Sequence, residues 1–315
     1  MQNFALIGAA GYVAPRHMKA IKNTGNNLVA LLDPFDSVGI IDSYFPKADF
    51  FTEPERFDRH LDKLRRAENK KVHYVSICSP NYLHDAHIRL ALRNDANAIC
   101  EKPLVLNPWN LQGLKDLEKE TGRKINTILQ LRLHPAIVKL KNKIDSLPQD
   151  TIHDVDLTYI TSRGNWYFYS WKGNISKSGG VVTNIGIHFF DMLQWIFGDV
   201  EENTVHLHEQ NKAAGFLRLK NANVRWFMSI DKNDLPVNAQ QNQIPTFRSI
   251  TIDGEEIEFS SGFTDLHTES YQQIINGNGY GIEDASGSIY TVYEIRNKKP
   301  VSISGSYHPF LKNHF

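Results

Sequence analysis

Short apolar runs alternate with amphipathic stretches through the first 130 residues of the chain. Phe4-Ala5-Leu6-Ile7 opens the series, Leu28-Val29-Ala30-Leu31-Leu32 follows, and residues 72–78, 96–100 and 125–131 continue it. Runs without a polar face are what strands covered on both sides of a parallel sheet require. Helix-like stretches lie between them, at about 14–22, 54–68, 86–91 and 108–121; in the second, Phe57, Leu61 and Leu64 share one face. Strand and helix in alternation predict right-handed crossovers and a doubly wound parallel sheet. Residues 37–51 show no single period.

Beyond about residue 130 the period shortens to two. Residues 152–161, 215–219, 224–230, 248–252 and 257–260 alternate apolar with polar positions, as half-buried antiparallel strands do. Asp253-Gly254 between the last two is a hairpin signal. One helix is predicted over 184–197, after an aromatic, glycine-rich loop at 162–180, and two more over 265–276 and 284–298. The stretch 231–246, rich in Asn, Gln and Pro, reads as a long loop. The expected fold class is α/β. An amino-terminal doubly wound parallel sheet occupies 1–128, and an α+β domain with an open, mostly antiparallel sheet occupies 129–315.

Composition narrows the class without naming a chemistry. Over 315 residues Lys+Arg and Asp+Glu are equal at 35 each, with no basic stripe, which argues against nucleic acid as a partner. Neither a signal-peptide pattern nor an uninterrupted apolar run of spanning length is present, so the expected location is the cytoplasm, away from membranes. Cys78 and Cys100 sit in apolar strand segments, as buried free thiols would, and no CxxC pattern occurs.

Three places carry candidate chemistry. The first strand runs into Gly8-Ala9-Ala10-Gly11-Tyr12-Val13-Ala14, where small residues let backbone N–H groups and a helix start approach a pyrophosphate. Asp33 closes the second strand 25 residues after Gly8; a carboxylate there accepts ribose hydroxyls and repels a 2′-phosphate, which favours NAD over NADP. Cys100-Glu101-Lys102-Pro103 sets Lys102 at the carboxyl end of a strand, the edge where ligands of such sheets bind. In the second half Asn184, His188 and Asp191 are spaced four and three apart on one helix face, with Thr183 as its cap. His188 with Asp191, or His84 with His87, has metal-compatible spacing; no third ligand stands out, and no metal is expected.

Together the strand-GxxGxxA-helix turn, the acid after the second strand, Ser79-Pro80-Asn81 with His84, Glu101-Lys102-Pro103, and Gly179-Gly180 followed by Asn184 through Asp191 resemble the Gfo/Idh/MocA oxidoreductases over essentially the whole chain. The resemblance implies NAD held by Gly8, Ala10, Gly11, Tyr12, Val13, Asp33, Ser79, Asn81, His84, Glu101, Lys102 and Trp166. It also implies proton transfer by Lys102 and His188. Glu101 either holds the cofactor ribose or stabilises Lys102; adjacency fits both. Most of that family has Asp where this chain has Asn184.

The loop around Arg163-Gly164-Asn165-Trp166, with Ser170-Trp171-Lys172-Gly173, Gln130-Leu131-Arg132, Arg225-Trp226-Phe227 and residues 263–268, is similar to the branch of the family that oxidises a UDP-N-acetylglucosaminuronic acid in O-antigen synthesis. That similarity implies oxidation of a 3′-hydroxyl, 2-oxoglutarate to reoxidise NADH, and a homotetramer. Arg132, Arg163, Asn165, Lys172 and Asn184 are the expected substrate contacts, and Arg225 is a further available cation; a diphosphate and a carboxylate call for several. A dehydrogenase of a free sugar or inositol, and an NAD-binding sensor without turnover, are the competing readings. The arginine-rich second half weighs against the former, and Lys102 with His188 against the latter.

Overall fold

A computed structural model describes residues 1–257 and 265–313 of the chain. In order, the chain forms β1 (Asn3–Ile7), α1 (Ala14–Asn23), β2 (Asn27–Leu32), β3 (Asp49–Phe51), α2 (Pro54–Arg66), β4 (Tyr74–Ile77), α3 (His84–Arg93), β5 (Asn97–Cys100), α4 (Trp109–Thr121) and β6 (Ile125–Thr127). It continues with α5 (Pro135–Asp145), β7 (His153–Thr161), α6 (Trp166–Tyr169), α7 (Ile175–Ser178), α8 (Ile187–Phe197), β8 (Val200–His208), β9 (Lys212–Leu219) and β10 (Ala222–Ser229). Last come α9 (Val237–Gln241), β11 (Thr246–Ile252), β12 (Glu255–Glu256), α10 (Leu266–Ile275) and α11 (Ile282–Asn297). Two compact units result: Met1–Gln130 with Asp265–Ser286, and Leu131–Thr264 with Gly287–Phe315.

The first unit holds six strands in the order β3-β2-β1-β4-β5-β6, all paired in parallel. The order reverses between β1 and β4, and a crevice opens at the carboxyl ends of the strands at such a point. β3 is three residues long with Asp49 exposed, too short and too mixed to show a period. The sequence pattern puts 265–286 in the second domain with the rest of 129–315; the structure places it in the first unit. Its helix α10 sinks Tyr271 and Ile274 into the core of Phe4, Leu6, Met18, Ile21 and Leu31. The Thr127 N–H then donates to the Tyr280 carbonyl at 2.9 Å, extending the unit past β6.

The second unit is built on a six-stranded sheet in the order β12-β11-β7-β10-β9-β8, antiparallel except for the parallel pair β7 and β10. β8 escapes a pattern search because its register against β9 shifts twice, at Val200/Glu202 and Val205/Leu207, so the inward face changes along the strand. The Asp253-Gly254 hairpin forms with both residues at positive φ, 52° and 84°, and pairs Ile252 with Glu255. Of the strand expected at 257–260, all but Ile257 lies outside the described residues. The last segment packs Leu311 with Ile160, Leu207 and Phe227.

Gly215 on β9 faces Trp226 on β10 in register, and a Cβ there would lie 2.2 Å from the Thr204 carbonyl oxygen and 2.8 Å from the indole. Trp226 is fully buried, so it has nowhere to retreat. Gly215→Ala should therefore destabilise the protein by about 1–3 kcal/mol, the usual range for overpacking. Urea unfolding should show a lower midpoint at unchanged slope.

Candidate active site

The turn after β1 is closed by backbone geometry. Gly8 has φ +96°, and a Cβ on it would lie 2.6 Å from the Ser79 nitrogen and 2.7 Å from the Cys78 carbonyl, so only glycine lets the β1 and β4 turns approach this closely. Asp33, at 6% exposure, accepts the Ala10 N–H on Oδ2 and the Phe35 N–H on Oδ1, each at 2.9 Å. The acid therefore shapes the glycine turn as well as standing where a ribose would be read. Tyr12 is exposed with Arg16 above its ring, and Gly11 and Val13 are half-buried in the same turn. A cradle that a Cβ would fill, tethered to an acid at the end of β2, fits a dinucleotide.

Two of the expected cofactor residues are buried and bonded within the protein. His84, 1% exposed, sets Nδ1 2.7 Å from the Pro103 carbonyl and Nε2 2.9 Å from the Ser79 carbonyl. It is a strap between the β4 and β5 turns; burial lowers its pKa against the pull of those two carbonyls. Glu101, just past β5, sets Oε1 2.8 Å from His267 Nε2 and 3.1 Å from His17 Nε2. His17 Nδ1 lies 2.7 Å from the Tyr271 hydroxyl, which is 2.5 Å from Ser76 Oγ. Burial alone would raise the Glu101 carboxyl, but the two imidazole donors overcome it and hold the group well below the usual carboxylate range. His17 is lowered chiefly by burial. Ser79 and Asn81 are buried in the β4 turn, with Ser79 Oγ 2.8 Å from His87 Nδ1, and Lys102 is half-buried.

His17, Glu101 and His267 offer ligand atoms within 4.8 Å of one another. Their spacing in sequence hides this cluster, which differs from the histidine pairs singled out by helical spacing. Since each imidazole nitrogen already meets the carboxylate at hydrogen-bond distance, the cluster is satisfied as a proton-bridged cage. A hint was available for His17, which falls on the apolar face of α1 with Ala14, Met18 and Ile21, a place where a histidine must find a partner.

The second unit carries the other candidate residues. Helical backbone begins at Val181 and passes through a π turn, Val182–Gly186, before α8, so Thr183 lies inside the helix and does not cap it. Asn184 sits in that π turn and donates its amide to the Tyr167 hydroxyl at 3.1 Å. His188, half-buried, belongs to the first turn of α8. Asp191 is turned to Arg132, which it grips with Oδ2 to Nε at 3.0 Å and Oδ1 to Nη2 at 2.8 Å. Arg132, an expected substrate contact, is thus held in a buried two-point ion pair, the residue being 7% exposed. Arg225 is likewise paired with Asp156 across β10 and β7.

Of the expected substrate cations, the aromatic loop carries Arg163, which is exposed, and Lys172, whose ammonium lies 4.8 Å from the Trp171 ring centre and 5.6 Å from that of Trp166. Burial, then Arg163, lowers the Lys172 pKa. Asn165 and Trp166 are exposed beside them.

Comparison with known proteins decides the family. Residues 2–128 match the model of the GFO_IDH_MocA oxidoreductase family, NAD-binding Rossmann fold, and residues 150–233 match that family's C-terminal alpha/beta domain. The chain belongs to the Gfo/Idh/MocA oxidoreductases. Among curated members, inositol 2-dehydrogenase of Rhizobium meliloti is 27% identical over 62% of the chain and 55% of its own length. D-glucoside 3-dehydrogenase of Escherichia coli is 25% identical over 45% and 40%. The chain thus spans about half or less of the curated relatives it matches.

Among solved members, the WlbA (WbpB) dehydrogenase of Thermus thermophilus in complex with NAD and alpha-ketoglutarate is 50% identical, with 99% of this chain and 100% of that one covered and a TM-score of 0.95. The same dehydrogenase in complex with NAD and UDP-GlcNAcA is 49% identical at the same coverage and TM-score. A WlbA dehydrogenase of Bordetella pertussis, at 17% identity and TM-score 0.77, shares the fold.

The buried pair of this Gfo/Idh/MocA chain gives a direct stability test. Arg132→Ala takes the guanidinium away from the buried Asp191 carboxylate and should cost about 3–5 kcal/mol, whereas Arg132→Met with Asp191→Leu should recover most of it. Thermal and urea unfolding of the three proteins measure this.

Proposed function

We propose that the chain oxidises the 3′-hydroxyl of UDP-N-acetylglucosaminuronic acid to a ketone, and that 2-oxoglutarate then reoxidises the cofactor in place. What supports this reading is full-length similarity, at 50% and 49% identity, to a dehydrogenase solved with NAD and alpha-ketoglutarate and with NAD and UDP-GlcNAcA. NAD, when bound, accepts the hydride from C3′ and later returns it to the keto carbon of 2-oxoglutarate, giving 2-hydroxyglutarate.

The chain's own residues supply seating and proton transfer. Gly8 and Asp33 shape the turn that receives the cofactor. Lys102 and His188 hydrogen-bond the reacting oxygen, one taking its proton and the other polarising it. A neutral imidazole, with a reference pKa of about 6.5, accepts a proton at neutral pH without a shift, whereas a lysine near 10.4 needs one. Asn184, its amide oriented by Tyr167, positions the sugar. Arg163 and Lys172 take the substrate's anionic groups, and the indoles around Lys172 offer a face to the sugar. With Arg132 and Arg225 paired internally, this loop carries the charge recognition in the proposal.

A 3-keto sugar nucleotide is an acceptor for transamination, so the chain acts ahead of an aminotransferase in the synthesis of an O-antigen sugar. Cytoplasmic location and a homotetramer complete the proposal; among the described residues no helix is long and apolar enough to cross a membrane.

Purified protein given UDP-N-acetylglucosaminuronic acid and 2-oxoglutarate should yield the 3-keto sugar nucleotide and 2-hydroxyglutarate in equal amounts. No turnover from protein that binds NAD would refute the assignment and direct the search to free sugars and inositols. Lys102→Ala and His188→Asn should each lower kcat by about 100-fold or more while NAD binding persists. Near-normal turnover in both would remove them from the chemistry.

A further inference from the structure

The cage around Glu101 has a consequence for any nicotinamide bound to the first unit. Glu101 follows the last residue of β5, and its N–H is fixed to the Ile77 carbonyl of β4 at 2.9 Å, so it stands at the carboxyl edge of the sheet beside the strand where the order reverses. Dinucleotides lie across that edge. The residue is 8% exposed, and its Oε1 meets Nε2 of both His17 and His267. The far nitrogen of His17 is occupied by the Tyr271 hydroxyl, itself bonded to Ser76, so a single proton on Nε2 satisfies the ring and His17 brings no positive charge. Burial reinforces that neutral state. The cage supplies hydrogen bonds to a charge that water does not screen.

We infer that Glu101 tunes the bound nicotinamide toward its oxidised form: the caged carboxylate strengthens binding of NAD+, whose ring is a cation, relative to NADH, whose ring is neutral. Bound NADH thereby becomes a stronger hydride donor, which suits return of the hydride to a keto acid without release of the cofactor. The positive charge of Lys102, next in sequence, acts in the opposite sense. The inference rests on NAD binding by the first unit and not on the choice of sugar.

The test is the ratio of Kd for NAD+ to Kd for NADH, measured by calorimetry at pH 8.5, above the ordinary imidazole range. Glu101→Gln keeps an oxygen able to accept both imidazole donors while removing the charge. The ratio should rise by about three- to tenfold, the scale of one partly screened unit-charge interaction. Tyr271→Phe breaks the chain behind His17 and keeps the charge, so its ratio should stay near wild type. A merely structural role would weaken both nucleotides alike and leave the ratio unmoved. His267→Lys sets an ammonium against the carboxylate and should move the ratio as Glu101→Gln does, which keeps the inference testable if that variant does not fold. An unchanged ratio in both charge variants, or an equal shift in Tyr271→Phe, would overturn it. Wild-type protein that holds neither nucleotide would overturn NAD binding and this inference with it.

Discussion

A carboxylate buried at the end of β5 is the constraint on which the first unit depends. An isolated charge at that depth would take up a proton, since desolvation penalises the ionised form. Two imidazole donors prevent this for Glu101, and they come from α1 and α10, elements separated by most of the chain. The cage therefore joins three tasks. It keeps the residue before Lys102 ionised, it anchors α1 directly behind the glycine turn, and it holds α10 on the sheet although its sequence follows the second unit's strands. Tyr271 links the polar cage to the apolar core, with its ring packed on Phe4 and its hydroxyl shared by His17 and Ser76.

Charge is handled differently in the second unit. Arg132 and Arg225 are each gripped at two points by an aspartate. Recognition in the proposed reaction is left to a short aromatic loop, where Lys172 is partly desolvated between two indoles. A half-buried ammonium interacts more strongly with an anion than a solvated one, because less water must be displaced and the local dielectric is lower. The π turn beneath that loop puts Asn184 within reach of Tyr167, a contact that regular helical spacing does not anticipate.

The parallel sheet was legible because each of its main strands is a continuous apolar run closed by a glycine, acid or proline turn; β3, with three mixed residues, was not. In the second unit alternation revealed β7, β9, β10 and β11 but missed β8, whose bulges change its inward face. The glycine turn and Asp33 were readable because their demands are local. His84 and Arg132 stood in motifs but turned out to hold the protein's own carbonyls and carboxylate, and side-chain direction is not written in spacing. His17, His267 and Tyr271 converge only after the chain has folded, so no local pattern could assemble them.

Nitrogen-15 NMR of histidine-labelled protein, with His17 assigned through His17→Asn, reads the protonation pattern of the Glu101 cage most directly. His17 should appear as a neutral ring carrying its proton on Nε2, with Nδ1 accepting from Tyr271. Because burial lowers its pKa, that state should persist as the pH falls below the ordinary imidazole value. An imidazolium at neutral pH, or a proton on Nδ1 with Nε2 bare, would contradict the account. The first would cancel the buried charge, and the second would leave the carboxylate without one of its two donors.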